Sequence, residues 1–300
     1  MKKHPVILDT DLGTDIDDSW ALAMLLNSPE LDLRLITTAT GDTQYRAVLA
    51  ERLLEAAGRT DIPIAAGRPT SGMEHSLWNY VKNDPRLGRK KYPDAVAAII
   101  DVVNRSSEPV TLISIAPLPN LGDLLKQAPD IAGKIDLIGM LGSVYVKYDG
   151  TPGRSPEYNV VRDLPAAQLV FGEKHWHSFK ITPIDTCGSV RLPRARFLEL
   201  EQTGPLMREV TASNRVWTGW NEYHGELPPT TSTLFDTVAV YMAFSTECLE
   251  MVKLRLRCDD HGCLIEHPDG TLIDTAVRWK DRQQFLELLM QRLSAQSVPV

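Results

Sequence analysis

Short apolar runs alternate with longer stretches whose apolar positions recur at helical spacing, from Pro5 to Asp185. The runs "PVILD" (5–9), "LRLITTAT" (33–40), "IPIAAG" (62–67), "VTLISIAP" (110–117), "KIDLIGMLG" (134–142) and "SFKITPID" (178–185) predict strands. Between them, 17–28, 43–58, 93–106, 118–129 and 164–173 predict helices, the second closed by Gly58. Beyond Asp185 the pattern is more helical, over 193–202, 205–222 and 236–247. "VKLRLRC" (252–258) and a hairpin follow, then a closing helix from 281. Alternation of this kind argues an α/β fold: a mostly parallel central sheet, an open Rossmann-type sheet with helices on both faces. No internal repeat or low-complexity linker interrupts it. The expectation is one domain over 1–300, with inserted loops near 68–92, 143–163 and 220–235.

Composition narrows the partners. With a net charge of -7, the chain lacks the clustered Lys and Arg that a nucleic-acid backbone requires, and the one dense basic run, "RLGRKKY" (86–92), reads as a solvated loop. No stretch approaches the ~18 apolar residues of a membrane span. The N-terminal "MKKHPVILDTD" has too short an apolar run for a signal peptide, so the cytoplasm is the expected compartment. The 4 cysteines make no disulfide framework. Cys258, His261, Cys263 and His267 lie close together, but their spacing fits no standard zinc finger; the segment reads as a hairpin with its turn at Asp269-Gly270.

The candidate chemistry sits at the end of the first strand. "VILDTDLGTDIDDSWAL" (6–22) carries Asp9, Asp11, Asp15, Asp17 and Asp18. An acidic first turn favours a helix dipole, which accounts for one or two aspartates after a buried strand but not for five. Carboxylates crowded this closely repel one another unless a cation offsets the charge, and hard oxygen donors favour calcium or magnesium. Ligands of such sheets bind beyond the carboxyl ends of the strands. Gly13 permits a sharp turn there, and "SIAPLPN" (114–120), "SPEYNVVRD" (155–163) and "TLFDTVAVY" (233–241) should lie nearby. Read alone, Asp236 would be a helix N-cap. Glu157 and Asn159 are suited to hydrogen-bonding a polyol.

Taken in order, "DTDLGTDIDD" (9–18), "ITTATGD" (36–42), "IPIAAG", "APLPNL" (116–121), "GMLGS" (139–143), "EYNVVRD" (157–163) and "FDTVAV" (235–240) resemble the nucleoside hydrolases, the inosine–uridine-preferring family, over nearly the whole chain. The resemblance implies calcium-dependent hydrolysis of the N-glycosidic bond of ribonucleosides by a cytoplasmic homodimer or homotetramer. It implies a calcium ion held by Asp11, Asp18, Asp236 and the main-chain carbonyl of Ile115, which would also bind a water and the ribose 2′- and 3′-hydroxyls. It makes Asp11 the general base, places Asp17, Asp42, Glu157 and Asn159 around the ribose, and gives Asp9 a supporting role. Cleavage builds positive charge on the sugar, which a carboxylate-rich pocket stabilises.

Three positions depart from that pattern. Asp42 and Thr151 stand where an Asn is common, and Phe235 where several members place a His that protonates the leaving base. His224 or Tyr223 could supply that proton instead. Phe235 and Trp78 could stack on the base, which favours purine ribonucleosides. Trp217 and Trp220 read as core. Two other functions fit parts of the pattern. A haloacid-dehalogenase-type phosphatase shares Asp-x-Asp after a strand, but Gly13 replaces the Thr or Val it needs. A degenerate, non-catalytic nucleoside- or sugar-binding protein would explain the altered pocket.

Overall fold

The computed structural model describes residues 3–71, 75–219 and 227–295. Nine strands form one sheet: β1 (His4–Thr10), β2 (Leu31–Thr38), β3 (Ile64–Ala66), β4 (Val110–Ser114), β5 (Ile135–Met140), β6 (Ser178–Thr182), β7 (Leu249–Cys258), β8 (Leu264–Glu266) and β9 (Thr271–Trp279). Their order is β3-β2-β1-β4-β5-β6-β9-β7-β8. The pairings from β3 through to β9 are parallel, while β7 runs antiparallel to both β8 and β9. Among the described residues, no helix is long and apolar enough to cross a membrane.

The central strands carry apolar side chains on both faces because helices cover both. Val6 and Leu8 of β1 join one core with α1 (Asp17–Leu26), α2 (Thr43–Ala56) and the helices Pro205–Trp217, Thr237–Met242 and Arg282–Ser294. Ile7 joins the other, with the helices Ala95–Arg105, Pro119–Gln127 and Leu164–Gly172. Continuous apolar runs, rather than alternation, are what strands buried on both sides require. Each fully buried Leu, Ile or Phe contributes about 1.5–3 kcal/mol.

Most element expectations are met, and the differences are local. The helix expected over 205–222 ends at Trp217, and that expected over 236–247 spans Thr237–Met242. The larger difference is the C-terminal hairpin. Its turn is Asp259–Gly262, between β7 and β8, where Asp259 accepts from the amides of His261 and Cys263, each at 2.9 Å. Asp269-Gly270 lies in the connection from β8 to β9, on opposite sides of β7; Leu256 pairs with both Glu266 and Thr271. Local turn chemistry marks a reversal but not the partner strand, which pairing across the sheet selects.

Gly122, in the helix Pro119–Gln127, packs directly on the helix Leu164–Gly172: a Cβ there would stand 2.6 Å from Ala166 Cβ and 3.0 Å from Ala166 Cα. Gly122→Val should cost about 1–3 kcal/mol by overpacking. Urea unfolding checks this, with Gly172→Ala, where nothing lies within 4 Å, as the near-neutral control.

Candidate functional site

β1 and β4 are adjacent parallel strands whose following helices lie on opposite faces of the sheet. That reversal opens a crevice at their carboxyl ends, where open α/β sheets bind ligands. The amide of Ile115, just beyond β4, donates to the Asp9 carbonyl at 2.9 Å and zips the strands to the crevice floor. A cleft of about 480 Å³ opens above it.

Asp11, Asp15, Asp17, Asp18, Glu157 and Asp236 line this cleft, with no Lys, Arg or His among the described lining residues. The turn after β1 places the first four. Gly13, at φ 99, sits in the left-handed region, and a Cβ there would meet Leu49 Cδ1 at 2.5 Å. Asp17 and Asp18 then open α1, and Asp236 precedes the helix Thr237–Met242. Asp236 makes no side-chain cap there; the N-cap role that its local sequence suggests is not the one it plays.

Asp17, Asp18 and Asp236 are buried, and each offers an oxygen such that all three lie within 4.8 Å of one another. Burial pushes all three carboxyls well above the usual range, and the neighbouring carboxylates push further: Asp15 and Asp11 on Asp17, Asp11 and Asp17 on Asp18, and Asp17, Asp18 and Asp11 on Asp236. Carboxylate oxygens this close repel one another unless a proton is shared between them or a cation offsets the charge. Thr10 donates its hydroxyl to Asp18 Oδ1. Asp11 is 4% exposed, and its Oδ2 has no hydrogen-bond partner. Buried orphan oxygens beside a carboxylate triad fit a hard divalent cation.

Asp9 lies one layer deeper. Its Oδ1 accepts from Thr37 Oγ1 at 2.6 Å and Asn120 Nδ2 at 2.7 Å. Burial pushes its carboxyl up to about 7. Asn120 also donates to the Thr38 carbonyl at 3.1 Å, so one side chain ties the ends of β1 and β2 to the helix after β4.

The opposite wall comes from 143–163. Glu157 caps the short helix Tyr158–Val161, accepting from the amides of Asn159 at 2.9 Å and Val160 at 3.2 Å. It also accepts from the Gly142 amide at 2.9 Å and the Tyr148 hydroxyl at 3.3 Å. Its acceptor positions are thus taken up in shaping the wall. Asn159 lines the cleft and donates to the Met140 carbonyl at 3.1 Å. Tyr148 meets Phe235 edge-on, with centroids 6.3 Å apart, and Tyr158 completes an aromatic side.

Of the residues singled out in the sequence, the cleft therefore gathers Asp11, Asp17, Asp18, Ile115, Glu157, Asn159, Phe235 and Asp236. Asp11 belongs to it but not to the tightest carboxylate triad, which Asp17 completes. Asp42 stands outside. Its exposed carboxylate caps α2 by accepting from the amides of Gln44 and Tyr45, because it falls at the N-cap rather than at the strand end. Trp78 is also outside: it is 47% exposed and packs on Tyr45 and His75. Trp217 backs the cleft, donating to the Thr14 carbonyl at 3.3 Å. Tyr223, His224 and Trp220 lie outside the described residues. Among the described residues, Cys258, His261, Cys263 and His267 form no metal-binding group.

Sequence reading missed Thr14, Met140, Tyr148 and Tyr158 as lining residues, and Arg46 beneath them. "EYN" and "GSVYVKYDG" contained the tyrosines, but nothing local says which ring faces the cleft.

Comparison with known proteins agrees with this geometry. The chain is 32% identical over 209 residues to a pyrimidine-specific ribonucleoside hydrolase, RihA, of Photobacterium profundum, covering 65% of this chain and 64% of that protein. It is 32% identical over 179 residues to the Escherichia coli protein of the same name, covering 56% of each. The chain thus spans less than two thirds of the length of these curated relatives. A plant nucleoside hydrolase, PpNRh1, superposes with a TM-score of 0.82 at 23% identity, over 98% of this chain and 100% of that one. A purine-preferring ribonucleoside hydrolase from Gardnerella vaginalis superposes with a TM-score of 0.76 at 20% identity, over 98% and 99%. At those identities the structures speak for the shared fold. The sequence profile of the inosine-uridine preferring nucleoside hydrolases matches residues 6–288, so the chain belongs to that family.

Proposed function

We propose that this protein hydrolyses the N-glycosidic bond of ribonucleosides, using a calcium ion held in the cleft. The observation that carries the reading is the buried Asp17–Asp18–Asp236 triad beside the unpartnered Asp11 Oδ2, at the switch point of a sheet shared with nucleoside hydrolases. The phosphatase alternative has no comparable support, since the family match runs over residues 6–288.

Asp18, Asp236, Asp11 and the Ile115 carbonyl are the proposed ligands, with Asp17 close enough to share the ion or bind the sugar. When bound, a divalent cation supplies Lewis acidity that makes water a better nucleophile and offsets the crowded negative charge. The chain's own groups do the rest. Asp11 Oδ2 takes the proton of the attacking water as its oxygen bonds to C1′. The C1′–N bond breaks with its electron pair going to the base nitrogen, which takes a proton from solvent water, and Asp11 later returns its own proton to solvent. The lining carboxylates stabilise the positive charge that develops on the sugar. Asn159 offers a polar contact to the sugar, while the Glu157 hydrogen bonds hold the wall that carries it.

Phe235 and Tyr148 supply the aromatic side of the cleft. Stacking there favours a larger base, so we assign a preference for purine ribonucleosides. The relatives' names divide on this point, RihA being called pyrimidine-specific and the Gardnerella enzyme purine-preferring.

Three outcomes are expected. Chelation should abolish ribonucleoside cleavage and calcium should restore it, as read by release of free base; full activity in demonstrably metal-free protein would refute the metal assignment. Asp11→Asn should lower kcat by roughly 10²–10⁴-fold. Calcium content is measured alongside, because an active variant that retains its ion would remove Asp11 as the base. Phe235→Ala should lose about 1–3 kcal/mol of stacking with a purine nucleoside, seen as a larger fall in kcat/KM for inosine than for uridine. Equal losses would contradict the purine assignment.

A further inference from the structure

Arg46 is a buried cation that holds the acid-bearing turn through several hydrogen bonds at once. It lies in the first turn of α2, and it is 0% exposed. Its Nε donates to the Thr40 carbonyl at 2.8 Å, and its Nη1 to the carbonyls of Asp11 and, at 3.0 Å, Leu12. Its Nη2 donates to the Thr14 hydroxyl at 2.7 Å. These acceptors are three carbonyls and a hydroxyl, with no carboxylate among them. A buried guanidinium is costly unless its donors are satisfied and its charge is balanced. The carbonyls satisfy the donors, and the nearby Asp11 and Asp18 carboxylates supply the balancing field. Thr40 adds a second, independent sign of constraint. It is a β-branched residue at φ 60, in the left-handed region that strains such a side chain, and its carbonyl is one of the acceptors.

We propose that Arg46 is a positioning residue of this site. Its planar fork fixes the turn from Asp11 to Thr14 so that the Asp11 carboxylate faces the cleft, and its buried charge lowers the cost of gathering the carboxylates there before a cation binds. Lysine carries the same charge but cannot span these acceptors in one plane. The charge and the fork can therefore be separated experimentally. The turnover arm of the test rests on the nucleoside-cleaving reading above; the cation-binding arm does not.

The experiment titrates calcium into chelator-stripped protein by calorimetry for wild type, Arg46→Gln, Arg46→Lys and Arg52→Gln. Thermal melting and steady-state kinetics with inosine accompany it. Arg52 lies on the same helix and pairs with Glu209 outside the cleft, so Arg52→Gln reports general damage to α2. Arg46→Gln should bind calcium about 10–100-fold more weakly, the range for groups that orient metal ligands. Arg46→Lys should recover part of that affinity, yet at saturating calcium its kcat should stay at least tenfold low with KM changed less. Arg52→Gln should match wild type in both. Wild-type affinity and kcat in Arg46→Lys would overturn the fork, leaving only a charge. Wild-type behaviour in Arg46→Gln would overturn the whole proposal. If neither Arg46 variant folds while Arg52→Gln does, Arg46 is a folding residue and the proposal as stated is wrong. A wild type that binds calcium tightly but cleaves no ribonucleoside refutes the proposed function, while the affinities still decide the role of Arg46.

Discussion

The repulsion among carboxylates gathered at the end of β1 is the constraint around which this structure is organised. Asp11, Asp17, Asp18 and Asp236 are buried together, and burial makes each charge more expensive than it would be in water. Such a cluster persists only where its surroundings compensate it. Here the compensation comes from two sides. Arg46 and the Thr10 hydroxyl press on it from within the protein, and a triad of carboxylate oxygens faces outward, where a cation fits. The cost of assembling the cluster is therefore inseparable from its capacity to bind.

The fold supplies the rigidity that this arrangement needs. β1 is covered on both faces, so its end cannot drift. Its last residues are fixed laterally as well: Thr37 from β2 and Asn120 from the helix after β4 converge on the Asp9 carboxylate. The two strands that flank the crevice send their helices to opposite faces, and the opening that results is the one place where strand ends, helix starts and the 143–163 wall all meet. Groups held in this way stay near their working geometry without reorganising as charge develops on a substrate, which is how preorganised sites lower barriers.

The far wall follows a different logic. Glu157 is a polar residue at the site whose hydrogen bonds go inward, to Gly142, Asn159, Val160 and Tyr148. It shapes the surface that presents Asn159 and the tyrosines. Phe235 and Tyr148 give this side an aromatic character that sets it apart from the carboxylate floor.

Strand and helix identity was legible in the sequence because hydrophobic periodicity is a local record of which faces are buried; β1, β4 and β5 and the helices between them follow it closely. The acid cluster was legible for the same reason, since Asp9 to Asp18 are neighbours in the chain, and Asp236 entered through the order of the motifs. What the sequence could not determine was direction. Asp42, in a motif shared with the family, turns to cap α2, whereas Arg46, in no motif considered, turns inward to hold the Asp11 turn. Trp78 is loop-borne and packs on Tyr45, while Tyr148, equally loop-borne, meets Phe235 in the cleft. The route from β8 to β9, on opposite sides of β7, was likewise invisible in the turn residues. Chain neighbours fix periodicity, but the orientation of a side chain and the partner of a strand depend on contacts with residues far away in the chain, and only the folded structure brings those together.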